Sequence, residues 1–125
     1  NIFTDIINIY GTVELGTMAF ETPLSVLIRR FSTTNPNVFR ALFPRASRLP
    51  TLVQYHPCLT YFEEVGGEVI ASGYGSSIPL FRYRFPDVGG VIPFDEMVKK
   101  LKAAGVDILE EAIKRKINKT ILKNF

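Results

Sequence analysis

His56 and Cys58 are the only imidazole and the only thiol in the chain, and they stand two residues apart. On an extended segment that spacing puts both on one face. Zinc takes four ligands, and no third or fourth follows at a matching spacing, so no metal site is expected. A Cys/His nucleophilic pair needs a proton-transfer geometry that neighbours on one strand seldom reach. A thiol-dependent enzyme acting through Cys58 is therefore only a third reading, and Cys58 reads better as a small buried hydrophobe. The carboxylates are few and sit where a hairpin tip or a helix cap would use them. No cofactor and no small-molecule substrate are implied, and the expectation is a protein that is not an enzyme.

Three further motifs carry little. Gly73–Ser77 (GYGSS) is rich in glycine but lacks the GKS/T ending and the strand-then-helix setting of a phosphate-binding loop. Arg29–Ser32 (RRFS) has the look of a presequence or kinase site, yet it falls inside an apolar stripe at helical spacing. Asn118-Lys119-Thr120 matches a glycosylation acceptor by chance.

Arginine and lysine chemistry is better represented. The net charge of a chain of 125 residues is only +3, but its distribution is lopsided. Thr22 to Phe62 holds five arginines (Arg29, Arg30, Arg40, Arg45 and Arg48) and no acid. The last 27 residues hold eight lysines and arginines against Asp107, Glu110 and Glu111. An arginine fork suits phosphate oxygens, and contacts to a nucleic-acid backbone need no sequence motif. Ile78–Phe85 (IPLFRYRF) interleaves aromatics with Arg82 and Arg84, a pattern that would stack on unpaired bases and that a half-buried strand with an aromatic inner face gives equally. Two basic zones around an acidic hairpin tip (Glu63, Glu64, Glu68) suggest a polyanionic neighbour; a solvated surface is the alternative.

The elements that must position these residues follow from pattern. Hydrophobic residues at 46% and charged residues at 22% fit a globular domain. No apolar run approaches the roughly 20 residues that span a bilayer. Leu59–Val65 and Glu68–Ser72 are runs rich in β-branched and aromatic residues around Gly66-Gly67, which predicts a hairpin with a tight I′ or II′ turn. Both faces of its first run are apolar enough to expect cover on both sides. Phe3–Tyr10 is a helix or an edge strand that Gly11 stops, and Thr12–Phe20 is a first strand with Gly16 as a bulge. Thr22 and Pro23 cap and open a helix carrying Leu24, Leu27, Ile28 and Phe31, with Arg29 and Arg30 turned outward. Asn37–Phe43 favours a strand because Pro36 and Pro44 bound it closely. Pro44–Pro50 is an arginine-bearing loop that cannot pack a core. Thr51–Tyr55 is extended and Asp87–Pro93 is a turn or loop. Pro93 starts a helix with Phe94, Met97, Val98 and Leu101 inward, stopped by Gly105. Asp107 caps a second helix with Leu109, Ala112, Ile113, Ile117 and Ile121 on one side, a face long enough to pack on a partner.

The order strand, helix, strand, proline, hairpin, helix resembles a thioredoxin-like fold, without the Cys-x-x-Cys that redox chemistry would need. It is similar to the redox-inactive thioredoxin-like family shared by mitochondrial ribosomal proteins and a small accessory subunit of respiratory complex I. The residues that carry the resemblance are Asn35-Pro36-Asn37-Val38, Pro57, the strand Leu59–Phe62 and Gly66-Gly67-Glu68-Val69. Pro50 is an alternative to Pro57 at the entry to the hairpin. The resemblance implies an α/β domain over residues 1–104 with a central mixed sheet and flanking helices, and an extra C-terminal amphipathic helix over 105–125. It implies a structural subunit in the mitochondrial matrix, in a ribosome whose RNA and neighbouring proteins would meet Arg29, Arg30, Arg45, Arg48, Arg82, Arg84, Lys114, Arg115, Lys119 and Lys123. The alternative it leaves open is an accessory subunit of a respiratory complex that docks through protein contacts alone.

Overall fold

The computed structural model describes residues 7–74 and 78–117. It is a mixed α/β fold with two three-stranded antiparallel sheets and four helices. The first sheet orders its strands β1 (Ile9–Thr12), β2 (Gly16–Phe20), β3 (Gln54–Tyr55), and the second orders β4 (Thr60–Val65), β5 (Glu68–Gly73), β6 (Leu80–Val88). The single mixed sheet expected from the sequence is thus replaced by two sheets in which every described pairing is antiparallel.

The predicted hairpin is β4–β5. Gly66 and Gly67 both take positive φ, +64° and +87°, as a type I′ turn requires. A second hairpin lies where one strand was expected: Val13–Leu15 turn the chain between β1 and β2, and Gly16 takes φ +67°. Gly11 does not stop the first segment but sits within β1 at a register shift beside Tyr10.

Helices α1 (Pro23–Thr34) and α2 (Pro36–Leu42) follow each other almost without a break. Thr22 and Ser25 form a reciprocal cap at the start of α1. The strand expected over Asn37–Phe43 is α2. Asn35 accepts the backbone N–H groups of Asn37 and Val38, and Pro36 occupies the first helical position, where a missing N–H costs nothing. Helix α3 (Phe94–Ala103) starts after Pro93 and buries Met97 and Leu101. Gly105 follows it at φ +90°, and Asp107 then caps α4 (Ile108–Lys114) by accepting from the N–H of Glu110. Ile121 and the residues around it lie outside the described residues.

Among the described residues the interior has two apolar clusters. The helical one joins Leu24, Leu27, Ile28, Val38, Leu42, Met97, Leu101, Ile108, Ala112 and Ile117. Ala46 and Leu49 also pack on it, so the arginine-bearing loop contributes to a core after all. The other cluster lies between the sheets. Met18 and Ala19 of β2 join Phe62, Val69, Ala71 and Phe85 there, and Tyr55 meets Phe62 edge-on at 4.8 Å. Chain neighbours straddle the two clusters: Leu52 packs on the helices and Val53 on the sheets, Ile92 on the helices and Val91 on the sheets.

Candidate functional site

The paired residues His56 and Cys58 sit in a turn, not on a strand. His56 accepts the N–H groups of Leu59 and Thr60 on its carbonyl oxygen and that of Cys58 on Nδ1 (3.3 Å). Cys58 is exposed, contrary to the buried role expected, because the turn lifts it clear of the sheet before β4 begins. Among the described residues no group of three or more His, Cys, Asp or Glu side chains is placed to hold a metal ion. No helix among them is long and apolar enough to cross a membrane. Gly73 ends β5 and Tyr74 follows it, but the rest of the GYGSS loop lies outside the described residues.

The basic residues singled out for a polyanion separate into distinct settings. Arg29 is not turned outward: it pairs with Glu21, a carboxylate only 5% exposed, which also accepts from the side-chain amide of Asn8 at 2.8 Å. Helix periodicity missed this because the acid precedes the helix cap and only the turn into α1 brings it back. Arg45 lies 3.7 Å from Glu64, Arg82 lies 3.5 Å from Glu63, and Arg84 pairs with Glu68. On α4, Lys114 pairs with Glu110 at 2.9 Å and Arg115 with Glu111 at 3.2 Å, the latter guanidinium also lying over the Phe31 ring. Arg30 is exposed. Arg40, Arg48, Lys99 and Lys102 are exposed and form no ion pair among the described residues. Lys119 and Lys123 lie outside those residues.

The ion pairs of β6 expose a face that the sequence did not single out. In the second sheet Phe62, Val69, Ala71 and Phe85 point inward, and the register places Tyr61, Glu63 and Val65 of β4 outward. Beside them run Glu68, Ile70 and Ser72 of β5, then Arg82, Arg84 and Val88 of β6. The cover expected on both faces of β4 therefore exists on one: Phe62 is buried, while Tyr61 is 59% exposed. Phe81, on the far side of β5 from it, is 86% exposed. The cause is a β-bulge, in which Arg82 takes φ +51° and its N–H is donated to Ser72 Oγ at 2.8 Å. Leu59 and Tyr74 extend the apolar surface at this end, the Tyr74 hydroxyl donating to the Cys58 carbonyl. The outward face is thus aromatic and aliphatic with its charges balanced, Arg82 against Glu63 and Arg84 against Glu68.

A second candidate, the shallow depression lined by Phe31, Val106, Asp107, Glu110 and Glu111, has its glutamates engaged by Lys114 and Arg115 and presents no reactive group. Comparison with protein-family models, with curated proteins and with solved structures gives no match to the chain.

Proposed function

We propose that the chain is a non-catalytic interaction module, a structural subunit of a larger assembly, and that it meets protein through the outward face of its second sheet. The observation that carries the reading is the exposure of Tyr61, Phe81, Val65 and Val88 on one sheet face whose arginines are already paired with carboxylates. Specific protein interfaces are enriched in aromatic residues and arginine, and contiguous exposed apolar surface marks contact sites. A polyanion site needs a surplus of positive charge, and this face is balanced. His56 serves a backbone turn, accepting the Cys58 N–H on Nδ1 and the N–H groups of Leu59 and Thr60 on its carbonyl oxygen.

The second reading is RNA contact through Arg40, Arg48, Lys99 and Lys102, favoured by their exposure without carboxylate partners. The thioredoxin-like kinship, and with it a mitochondrial ribosome or a respiratory complex as the assembly, stays a proposal on the resemblance alone; antiparallel pairing throughout gives it no added support. Titration of the chain with structured RNA across a salt series separates the two readings. The protein-docking reading expects few phosphates neutralised and a slope of log affinity against log salt no steeper than about −2. A slope several units steeper, relaxed by replacing Arg40 and Arg48 with alanine, establishes the RNA reading instead.

A further inference from the structure

The second sheet has an end as well as a face, and the end differs in kind. Two stretches of sequence without a lysine, arginine, aspartate or glutamate, 49–62 and 69–81, meet there. Strand register brings them together: Thr60 of β4 pairs with Gly73 of β5, and Gly73 with Leu80 of β6. Leu59 immediately precedes β4, Tyr74 immediately follows β5, and Ile78 lies just before β6. They are 63%, 70% and 68% exposed, so three large apolar side chains leave the same end of the sheet into solvent.

Protein and lipid both cover apolar surface, and hydrogen bonding separates them. From Pro57 to Thr60 no N–H is left over. Pro57 has none, Cys58 donates to His56 Nδ1, and Leu59 and Thr60 donate to the His56 carbonyl oxygen. Pro79 likewise brings no donor beside Ile78. The Tyr74 hydroxyl donates to the Cys58 carbonyl, tying the turn to the end of β5. A protein interface supplies hydrogen-bond partners across its area. The apolar layer of a bilayer supplies none, and each unsatisfied group entering it is costly. An uncharged end whose donors are already bonded therefore suits lipid. We propose that this end of the second sheet inserts Leu59, Tyr74 and Ile78 into the interfacial layer of a bilayer and holds the chain there as a peripheral membrane protein. Tyrosine fits that depth, with its ring in the apolar layer and its hydroxyl at the polar boundary. Neighbouring charges keep the insertion shallow. Arg82 and Glu63 lie at the rim, and the β1–β2 turn, brought close by Leu15 against Gly73, carries exposed Val13 and Glu14. The bilayer is met through its apolar layer and not through headgroup charge. The outward face runs away from this end along the strands and stays free for protein.

The chain contains no tryptophan, so a single one reports on its own surroundings. Leu59→Trp places it at the proposed insertion, and Val88→Trp places it at the far end of the same sheet. Each is mixed with phosphatidylcholine vesicles in about 0.5 M salt, where charge is screened within a few ångströms. Emission from Leu59→Trp should move to shorter wavelength and be quenched by lipids brominated on their acyl chains, while Val88→Trp stays unchanged. In co-sedimentation with the same vesicles, Leu59→Ser and Tyr74→Ser should each weaken binding about tenfold, the loss of one buried apolar side chain. Both positions are exposed, so the fold should survive, which circular dichroism verifies. Failure of the unaltered chain to sediment with the vesicles overturns the proposal. So does binding that needs anionic lipid and vanishes in high salt, or an equal shift at residues 59 and 88. Vesicles left unbound while Leu59→Ser weakens attachment to an assembly would assign this end to protein instead. The reading of the outward face survives each of these results, since protection of Tyr61 and Phe81 within an assembly is measured separately.

Discussion

At the residue scale the described polar groups are largely committed to one another. Tyr10 shows this in the sheet core. Its ring packs against Phe62 and Phe85, and its hydroxyl donates to Asp87 Oδ2 at 2.7 Å. Burial, then the hydrogen bond and charge of Asp87, raise its pKa well above the ordinary value near 10. Burial also raises Tyr55 in the same core. A raised pKa for a group neutral in its acid form means that folding holds the proton more tightly than the unfolded chain does. The contribution is complete below pH about 10 and declines as the pH rises above it. Urea midpoints should therefore fall between pH 9 and 11, and Tyr10→Phe should flatten that fall. An unchanged slope in the variant would remove Tyr10 from the account.

Arginine pairing at this scale was the least legible part of the sequence. Glu63 and Arg82, or Glu68 and Arg84, are brought together only by strand register, which no local pattern encodes. Arg29 looked solvent-facing by helical phase, but Glu21 is positioned by the cap and by Asn8 from the preceding segment. The acid-free stretch from Thr22 to Phe62 is a true feature of the sequence, yet Glu21 and Glu64 just outside it engage Arg29 and Arg45.

At the element scale, legibility followed how local the signal was. The Thr22-Pro23 start, the Gly66-Gly67 turn, the Gly105 stop and the Asp107 cap could be read because each acts over two to four residues. Asn35-Pro36 carries the same kind of signal as Thr22-Pro23, but flanking prolines suggested an extended segment, and the cap decided otherwise. The β1–β2 hairpin was missed because its turn lacks paired glycines: Leu15 is drawn into the sheet core, and only Gly16 marks the reversal. This hairpin depends on close backbone approach at Gly11, where a Cβ would stand 2.5 Å from the Gly16 carbonyl oxygen. Backbone cannot step aside as a side chain can. Gly11→Ala should cost about 2 kcal/mol in chemical denaturation. A loss below about 0.5 kcal/mol, the range of an ordinary surface change, would mean that the strands separate freely there.

At the scale of the whole molecule, the architecture depends on contacts distant in sequence, which explains why the single mixed sheet expected from element order did not materialise. Order alone does not say which strands pair. Tyr55 joins the first sheet through β2, while β4 only five residues later opens the second. The two apolar clusters are joined through residues 52–53 and 91–92, so the sheets are held against a helical base with one of their faces left outward. That outward face is the centre of the account. It is tested most directly by hydroxyl-radical labelling of Tyr61 and Phe81 in the assembly proposed for the chain and in the dilute chain alone. The account predicts strong protection of both rings in the assembly, undiminished by ribonuclease. Labelling as fast in the assembly as in the isolated chain, or protection that ribonuclease abolishes, would contradict it.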